Sequence, residues 1–205
     1  MQREKANEGM QRKAKTQSDK EAKQAQTINR AEHAGRQEKG IKKSGGTIAM
    51  NTETGMIEVK ENRKQYMDLL LLADEDEQMI EQYLTRGEMY VMYENSAAIA
   101  ECIVTDEGNG VLEIKSLAVS PEWQRKGRGK AMIDFVVRRY AGKYRRLRVG
   151  TGESPLTLPF YEKCGFAVVG RIKNFFTEHY SHPIVEAGVL LQDMILLEKE
   201  IKPCK

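Results

Sequence analysis

Four cationic side chains, Arg125, Lys126, Arg128 and Lys130, stand around Gly127 and Gly129 in the stretch Gln124-Arg125-Lys126-Gly127-Arg128-Gly129-Lys130. Positive charge gathered around residues without a Cβ suits an anion, because the ligand can approach the backbone and use its N–H groups. The flanking residues predict what this loop joins. Val111 to Val119 is rich in β-branched and aliphatic residues and is stopped by Pro121, which reads as a strand. Ile133, Val136, Val137 and Tyr140 recur at spacings of three and four, the apolar face of a helix. A helix start offers free N–H groups and a positive dipole end, so the stretch predicts a phosphate site.

Two familiar phosphate loops do not fit it. A Walker loop needs four residues between its first Gly and Gly-Lys-Ser/Thr, but here Arg128 alone separates the glycines and Ala131 follows Lys130. A dinucleotide fingerprint would need Gly where Met132 stands. In the strand before the loop, Glu113 interrupts the apolar run Val111-Leu112-Glu113-Ile114. A lone carboxylate in such a run is either functional or turned to solvent.

Gln124-Arg125-Lys126-Gly127-Arg128-Gly129 resembles the Q/R-x-x-G-x-G/A loop of the GNAT superfamily of acyl-CoA-dependent N-acetyltransferases. Glu113 to Val119 resembles that family's fourth strand, and Phe160-Tyr161-Glu162-Lys163-Cys164-Gly165-Phe166 resembles its F/LYEKxGF helix end. The resemblance spans Met56 to about Ile201. In its C-terminal part, Phe175-Phe176, His179-Tyr180, Pro183-Ile184 and Asp193-Met194, the chain is similar to small bacterial members of the YvbK kind.

The resemblance implies acetyl-CoA as cosubstrate and an amine as acceptor, joined by direct transfer in a ternary complex without a covalent intermediate or a metal. It implies that Gln124, Arg125, Lys126, Gly127, Arg128, Gly129 and Lys130 hold the pyrophosphate, and that the strand edge at Leu117, Ala118 and Val119 meets the pantetheine amides. An alkyl amine is protonated near neutral pH, so a proton acceptor is needed. The resemblance assigns that role to Glu113, directly or through a water, and assigns Tyr161 as the donor to the departing thiolate. Many members carry an Asn beyond the fifth strand, where this chain has Gly152-Glu153-Ser154. Ser154 could substitute, or the contact is absent; Glu153 could serve a cationic substrate or simply charge a helix start. A non-catalytic acyl-CoA-binding regulatory module is the alternative reading.

The elements that must position these residues occupy the later part of the 205-residue chain. Residues 1 to 46 contain no Leu, Val, Phe, Tyr or Trp and only Ile28 and Ile41 as branched aliphatics, too little apolar surface to offset the entropy of ordering. Residues 1–55 are therefore expected to be a disordered, low-complexity basic tail, and 56–205 the acetyltransferase domain. The tail holds twelve Lys/Arg and seven Asp/Glu, net +5, which leaves −2 on the remainder of a chain of net charge +3. No apolar run is long enough for a secretory signal or a membrane span, which points to a cytoplasmic protein. Cys102, Cys164 and Cys204 form no even framework, as in a reducing compartment, and Cys164 reads as a small buried residue.

Strands are expected at Ile57 to Val59, Met89 to Tyr93, Ala97 to Thr105, Val111 to Val119, Tyr144 to Val149, Ala167 to Ile172 and Leu190 to Leu197. Helices are expected at Arg63 to Ala73, Glu77 to Arg86, after Gly129, and up to Lys163. This is an α+β fold, a mixed central sheet of about seven strands flanked by about four helices. Residues Phe175 to Gly188 form a long connection that reads as part of an acceptor pocket, with His179 and His182 as polar lining rather than metal ligands. Lys143, Arg145, Arg146 and Arg148 alternate along a strand as exposed-face charge, which points away from nucleic acid. The acceptor, a small molecule or a peptide, and a homodimer are left open.

Overall fold

The computed structural model describes residues 55–203, so the expectation for the tail, 1–54, lies outside the described residues, as does Cys204. The elements run β1 Met56–Val59, a 3-10 turn Arg63–Tyr66 leading into α1 Met67–Leu70, α2 Glu77–Leu84, β2 Glu88–Glu94, β3 Ala97–Asp106 and β4 Val111–Val119. After a 3-10 turn at Pro121–Trp123 come α3 Arg128–Arg139, β5 Arg146–Gly152, α4 Thr157–Lys163, β6 Ala167–Ile172 and α5 Phe175–His179. The short strands β7 Val185–Glu186 and β8 Val189–Leu190 pair with each other, and β9 Met194–Glu200 closes the series.

Seven strands form one sheet in the order β1-β2-β3-β4-β5-β9-β6. All neighbours are antiparallel except β4 and β5, which α3 connects as a parallel crossover. The α+β class and the seven-stranded mixed sheet agree with the sequence reading. Asn95 and Ser96, both at positive φ, make the tight β2–β3 turn, a geometry whose twist matches that of the strands it joins. Asp76 caps α2 by accepting from the Gln78 N–H at 2.7 Å.

Both faces of the sheet are covered. Met132, Ile133 and Val136 of α3, with Tyr161 of α4, pack on Cys102, Leu112, Ile114 and Val149. Leu70, Ile80, Tyr83 and Leu84 of α1 and α2 pack on Met89, Val91 and Ile103 of the opposite face. A strand buried on both sides leaves no solvent-facing register for a charge, which frames the meaning of any carboxylate found within it.

Several boundaries differ from expectation. The first helix is broken into a 3-10 turn and one α turn; Tyr66, Leu69 and Leu70 seat it, and the residues after Leu72 form the loop before α2. The fifth strand starts at Arg146 and continues to Gly152, since β9 pairs with it along that whole length. Leu190 belongs to the small hairpin and not to the last strand, and a fifth helix, α5, occupies the start of the expected long connection. Phe176, Ile184 and Leu191 form a separate apolar cluster there, enough to order this segment locally.

Candidate active site

α3 begins at Arg128 with Gly127 as its cap at φ 77°, in the left-handed region that glycine enters at least cost. The first intrahelical bond runs from the Ala131 N–H to the Gly127 carbonyl at 2.9 Å. The N–H groups of Arg128, Gly129 and Lys130 precede it and have no helical acceptor. Gly129 serves a different end: a Cβ there would meet Phe160 Cζ at 3.0 Å, so its absence lets α3 lie against α4. Lys126 and Arg128 lie over the Trp123 ring at 5.1 and 5.3 Å. Arg128 also bridges to Glu94 at 2.8 Å, and Lys130 pairs with Asp134 at 2.6 Å. The Gln124 amide donates to the Val119 carbonyl at 3.0 Å, which fastens the loop to the end of β4.

β4 pairs with β5 only over Val111 to Ile114, against Arg146 to Val149. Its register with β3 shifts at the same level: Val104 faces Ile114 but Ile103 faces Ser116, leaving Lys115 as a bulge. A bulge bends its strand, and here the bend coincides with the parting of β4 from β5. Beyond it the edge at Leu117, Ala118 and Val119 has no strand beside it, so its backbone groups can take an extended polar ligand. The free N–H groups at the start of α3 and this open edge fit a pyrophosphate and an amide-bearing arm.

Tyr161 and Ser154 are both buried close to this region, in different ways. Tyr161 makes edge contacts with Phe160 and Phe166 at centroid distances of 5.0 and 5.5 Å. Burial pushes its phenol above the usual tyrosine value, so it keeps its proton at neutral pH. The Ser154 hydroxyl accepts from the Leu156 N–H at 3.1 Å, and its carbonyl from the Leu158 N–H. It therefore shapes the turn into α4, with 2% of its surface exposed.

The other face of the parted strands opens into a cavity of about 910 Å³. Leu72 to Arg86 supply one wall, Phe175 to Leu191 the other, and Glu113, Lys115, Arg148 and Gly150 the floor. Glu113 thus lies where an acceptor would enter, but it is not alone. Lys115 Nζ stands 2.5 Å from one of its oxygens and Arg148 3.9 Å from the other. Arg148 also holds Glu198 at 2.6 Å, and Lys115 approaches Glu107, which Arg86 holds at 2.8 Å. Sheet register builds this ladder, since Thr105, Glu113, Arg148 and Glu198 are successive cross-strand partners.

Asp74 sits apart from the ladder. The Tyr180 and Tyr83 hydroxyls reach it at 3.2 and 3.5 Å, and the Asp76 N–H at 3.2 Å. Burial raises its carboxyl above the ordinary range against these donors. The Tyr180 contact ties the segment after α5 to the loop between α1 and α2. His179 lines the pocket, stacked on Phe175 at 4.5 Å, whereas His182 faces Glu75 and lies outside the lining. Glu153 is also elsewhere, paired with Arg171, which Asp193 shares. Arg146 and Arg148 are held by Glu198 and Lys143 lies over Tyr140 and Tyr144, so the basic stretch is spent within the fold.

One functional candidate escaped the sequence reading. Glu101 of β3 is wholly buried, accepts from the Ser116 hydroxyl at 2.6 Å, and leaves its Oε2 without a hydrogen-bond partner among the described residues. Burial pushes its carboxyl up to about 7, against the opposing donors Ser116 and the Ala118 N–H. The signal was present: Glu101 interrupts Ala98-Ile99-Ala100-Glu101-Cys102-Ile103-Val104 just as Glu113 interrupts its own run.

The acetyltransferase (GNAT) domain pattern matches residues 85–168, from the start of β2 through α3 to β6. The chain is 32% identical over 151 residues to the N-acetyltransferase YvbK of Bacillus subtilis (strain 168), covering 72% of this chain and 97% of that protein. The chain belongs to the GNAT family of acetyltransferases. Among solved members, one from Elizabethkingia anophelis with acetyl-CoA bound superposes with a TM-score of 0.67 at 36% identity, covering 71% of this chain and 96% of its own. A Bacillus subtilis acetyltransferase in complex with CoA gives 0.66 at 29% identity, with 72% and 99% covered. As a GNAT acetyltransferase the protein uses acetyl-CoA as the acyl donor, as the sequence reading held. No helix among the described residues is long and apolar enough to cross a membrane.

Proposed function

We propose that this acetyltransferase acetylates a primary amine by direct transfer in a ternary complex, with acetyl-CoA on the α3 side of the parted strands and the amine in the cavity on the other. The observation that carries this reading is the four-residue limit of β4–β5 pairing, which parts the sheet between a basic, glycine-lined helix start and the pocket. The pyrophosphate lies on the N–H groups of Arg128, Gly129 and Lys130 within the field of Arg125 and Lys126. The pantetheine amides pair with Leu117, Ala118 and Val119, and the thioester reaches the point where the strands part. Cys102 and Cys164 are both buried, and burial raises both thiols, which favours direct attack over an acetyl-cysteine intermediate.

The pocket's apolar cluster of Phe175, Phe176, Tyr180 and Ile184, with Tyr180 donating to the Asp74 carboxylate, favours an amine with an apolar body over a polycation. Tyr161, held protonated, donates to the departing thiolate. Two carboxylates on the pocket face could take the amine's proton: Glu113, which reaches the cavity itself, and Glu101, which lies behind Ser116 with a free oxygen. The test is release of CoA thiol from acetyl-CoA on adding amines from a panel graded in apolar size. Turnover with amines and none with matched alcohols is expected; hydrolysis of acetyl-CoA at one rate whatever the amine would overturn the reading. Glu113→Gln and Glu101→Gln, compared, then read which carboxylate is the proton acceptor, because loss of a general base costs roughly 10²- to 10⁴-fold and removes the acid limb of kcat/KM.

A further inference from the structure

Glu101 is a carboxylate in the middle of a sheet covered on both faces, and nothing cationic meets it. No salt bridge to it forms among the described residues, in contrast to Glu113 with Lys115 and Arg148. Its surroundings are hydroxyls and thiol. From β4 come the Ser116 hydroxyl at 2.6 Å and the Ala118 N–H. From α2 comes the Tyr83 phenol, whose titration Asp74, Glu101 and Ser116 all influence. The neighbouring Cys102 thiol lies on the opposite face of β3, and the Tyr161 phenol of α4 is close enough to feel the same charge. Tyr83 lines the cavity, and its hydroxyl stands 3.5 Å from Asp74. Polar groups thus stand between the pocket and an unpaired buried carboxylate: Asp74 and Tyr83 at the wall, and Ser116 bonded to Glu101.

We propose that Glu101 is the group on which the acceptor's proton comes to rest, reached from the pocket through the hydroxyls of Tyr83 and Ser116. The inference rests on the amine-acetylation reading. Tyr83 turns its hydroxyl from Asp74 to Ser116; its oxygen takes one N–H proton of the bound ammonium, its own proton goes to Ser116, and Ser116 passes its proton to Glu101. The two hydroxyls are restored, Glu101 becomes a neutral acid, and the amine keeps its lone pair. That pair forms the N–C bond at the thioester carbonyl as the C–S bond breaks, and the sulfur leaves with the bonding pair. Tyr161 donates its proton to that sulfur, giving CoA thiol, and regains one, the second amine proton; the proton on Glu101 returns to water after product leaves.

Burial suits Glu101 to this task. A carboxylate in water holds too little affinity for a proton to deprotonate an ammonium efficiently near neutral pH, whereas one pushed up to about 7 is matched to that pH. It acts through Ser116 and not on the substrate, so it is a positioning and proton-holding residue. A solely structural Glu101 would brace the Ala118 N–H and have no signature in the pH dependence of turnover.

The test uses the full chain with acetyl-CoA and an amine found active by thiol release. Glu101→Gln keeps the shape and the acceptor for Ser116; its kcat/KM is expected to fall about 100-fold and to lose the acid limb near pH 7, with acetyl-CoA affinity unchanged. Ser116→Ala is expected to slow turnover about tenfold while keeping that affinity. Glu113→Gln is expected to retain the limb. Persistence of the limb in Glu101→Gln at the parent rate, or its disappearance in Glu113→Gln alone, would overturn the proposal. An infrared titration of the protein without acceptor tests Glu101 separately from the reaction. A protonated carboxyl band that bleaches near pH 7 in the parent and is missing in Glu101→Gln is expected; a parent without it sinks the proposal even if amines are acetylated. Should Glu101→Gln fail to fold, Glu101→Asp, which shortens the reach to Ser116, is expected to slow turnover with the band retained, and an unchanged rate would count against the relay.

Discussion

On the α3 side of the parted strands, the groups that would meet a pyrophosphate come from residues 124 to 130, whereas the cavity on the other side is lined by residues from Leu72 to Leu196. The first site is a property of a strand, a loop and a helix start in immediate succession, and free N–H groups arise wherever a helix begins. The second exists only because α1, α2, the segment after α5 and the floor strands meet. Charge follows the same division. Around the loop, cations stand with few anions, while on the pocket floor Glu113 sits in a ladder with Lys115, Arg148 and Glu198. A carboxylate's residue type therefore says little about its chemistry on the pocket face, because sheet register chooses its partners.

This contrast yields predictions that separate the two faces. The largest effect concerns Glu101. Its carboxyl is raised in the folded protein from 4.5 to about 7, so folding favours the neutral acid. The corresponding stability is present in full below the unfolded value and is lost as pH rises towards 7. The parent should thus lose about 2 to 3 kcal/mol between pH 5 and pH 8 through this group, and Glu101→Gln should not. Urea midpoints at the two pH values measure it; a constant difference between parent and variant would mean that the carboxylate is not buried alone.

On the loop face, Gly129→Val would drive a branched side chain into Phe160 and push α3 away from α4. Acetyl-CoA binding is expected to weaken at least tenfold, about 1.4 kcal/mol, with overpacking adding about 1 to 3 kcal/mol of lost stability. Gly127→Ala meets no neighbour within 4 Å but must hold φ 77°, so its cost should be about 1 kcal/mol and of conformational origin. Calorimetry with acetyl-CoA and a thermal melt distinguish the two. Equal behaviour of both variants would break the distinction between a packing glycine and a turn glycine.

Tyr161→Phe should lower kcat about tenfold with little change in acetyl-CoA affinity, since it removes a proton donor and keeps the edge contacts with Phe160 and Phe166. The smallest effect is expected for Tyr180→Phe, which cuts the 3.2 Å link to Asp74 between the two pocket walls. It should raise the acceptor KM a few-fold, about 0.5 to 1 kcal/mol, and leave acetyl-CoA binding alone. A matching loss of acetyl-CoA affinity would show that the faces are coupled.

The sequence alone was enough for the glycine turn into α3, the α3 helix itself, the tight β2–β3 turn and the seven-strand count, because each depends on residues a few positions apart. Gly127 at a helix start and Asn95-Ser96 between two apolar runs carry their conformations locally. Tertiary structure decided the rest. That Glu113 faces Lys115 and Arg148 follows from a bulge at Lys115 and from parallel pairing with a strand more than thirty residues away. That Glu101 meets the Ser116 hydroxyl and the Ala118 N–H, and no cation among the described residues, follows from its register against β4 and from α2 closing over β3. Both residues read alike in the chain, one carboxylate in one apolar run, and what separates them is solvent exclusion and neighbouring charge, quantities that exist only once the strands have paired and the helices have covered them.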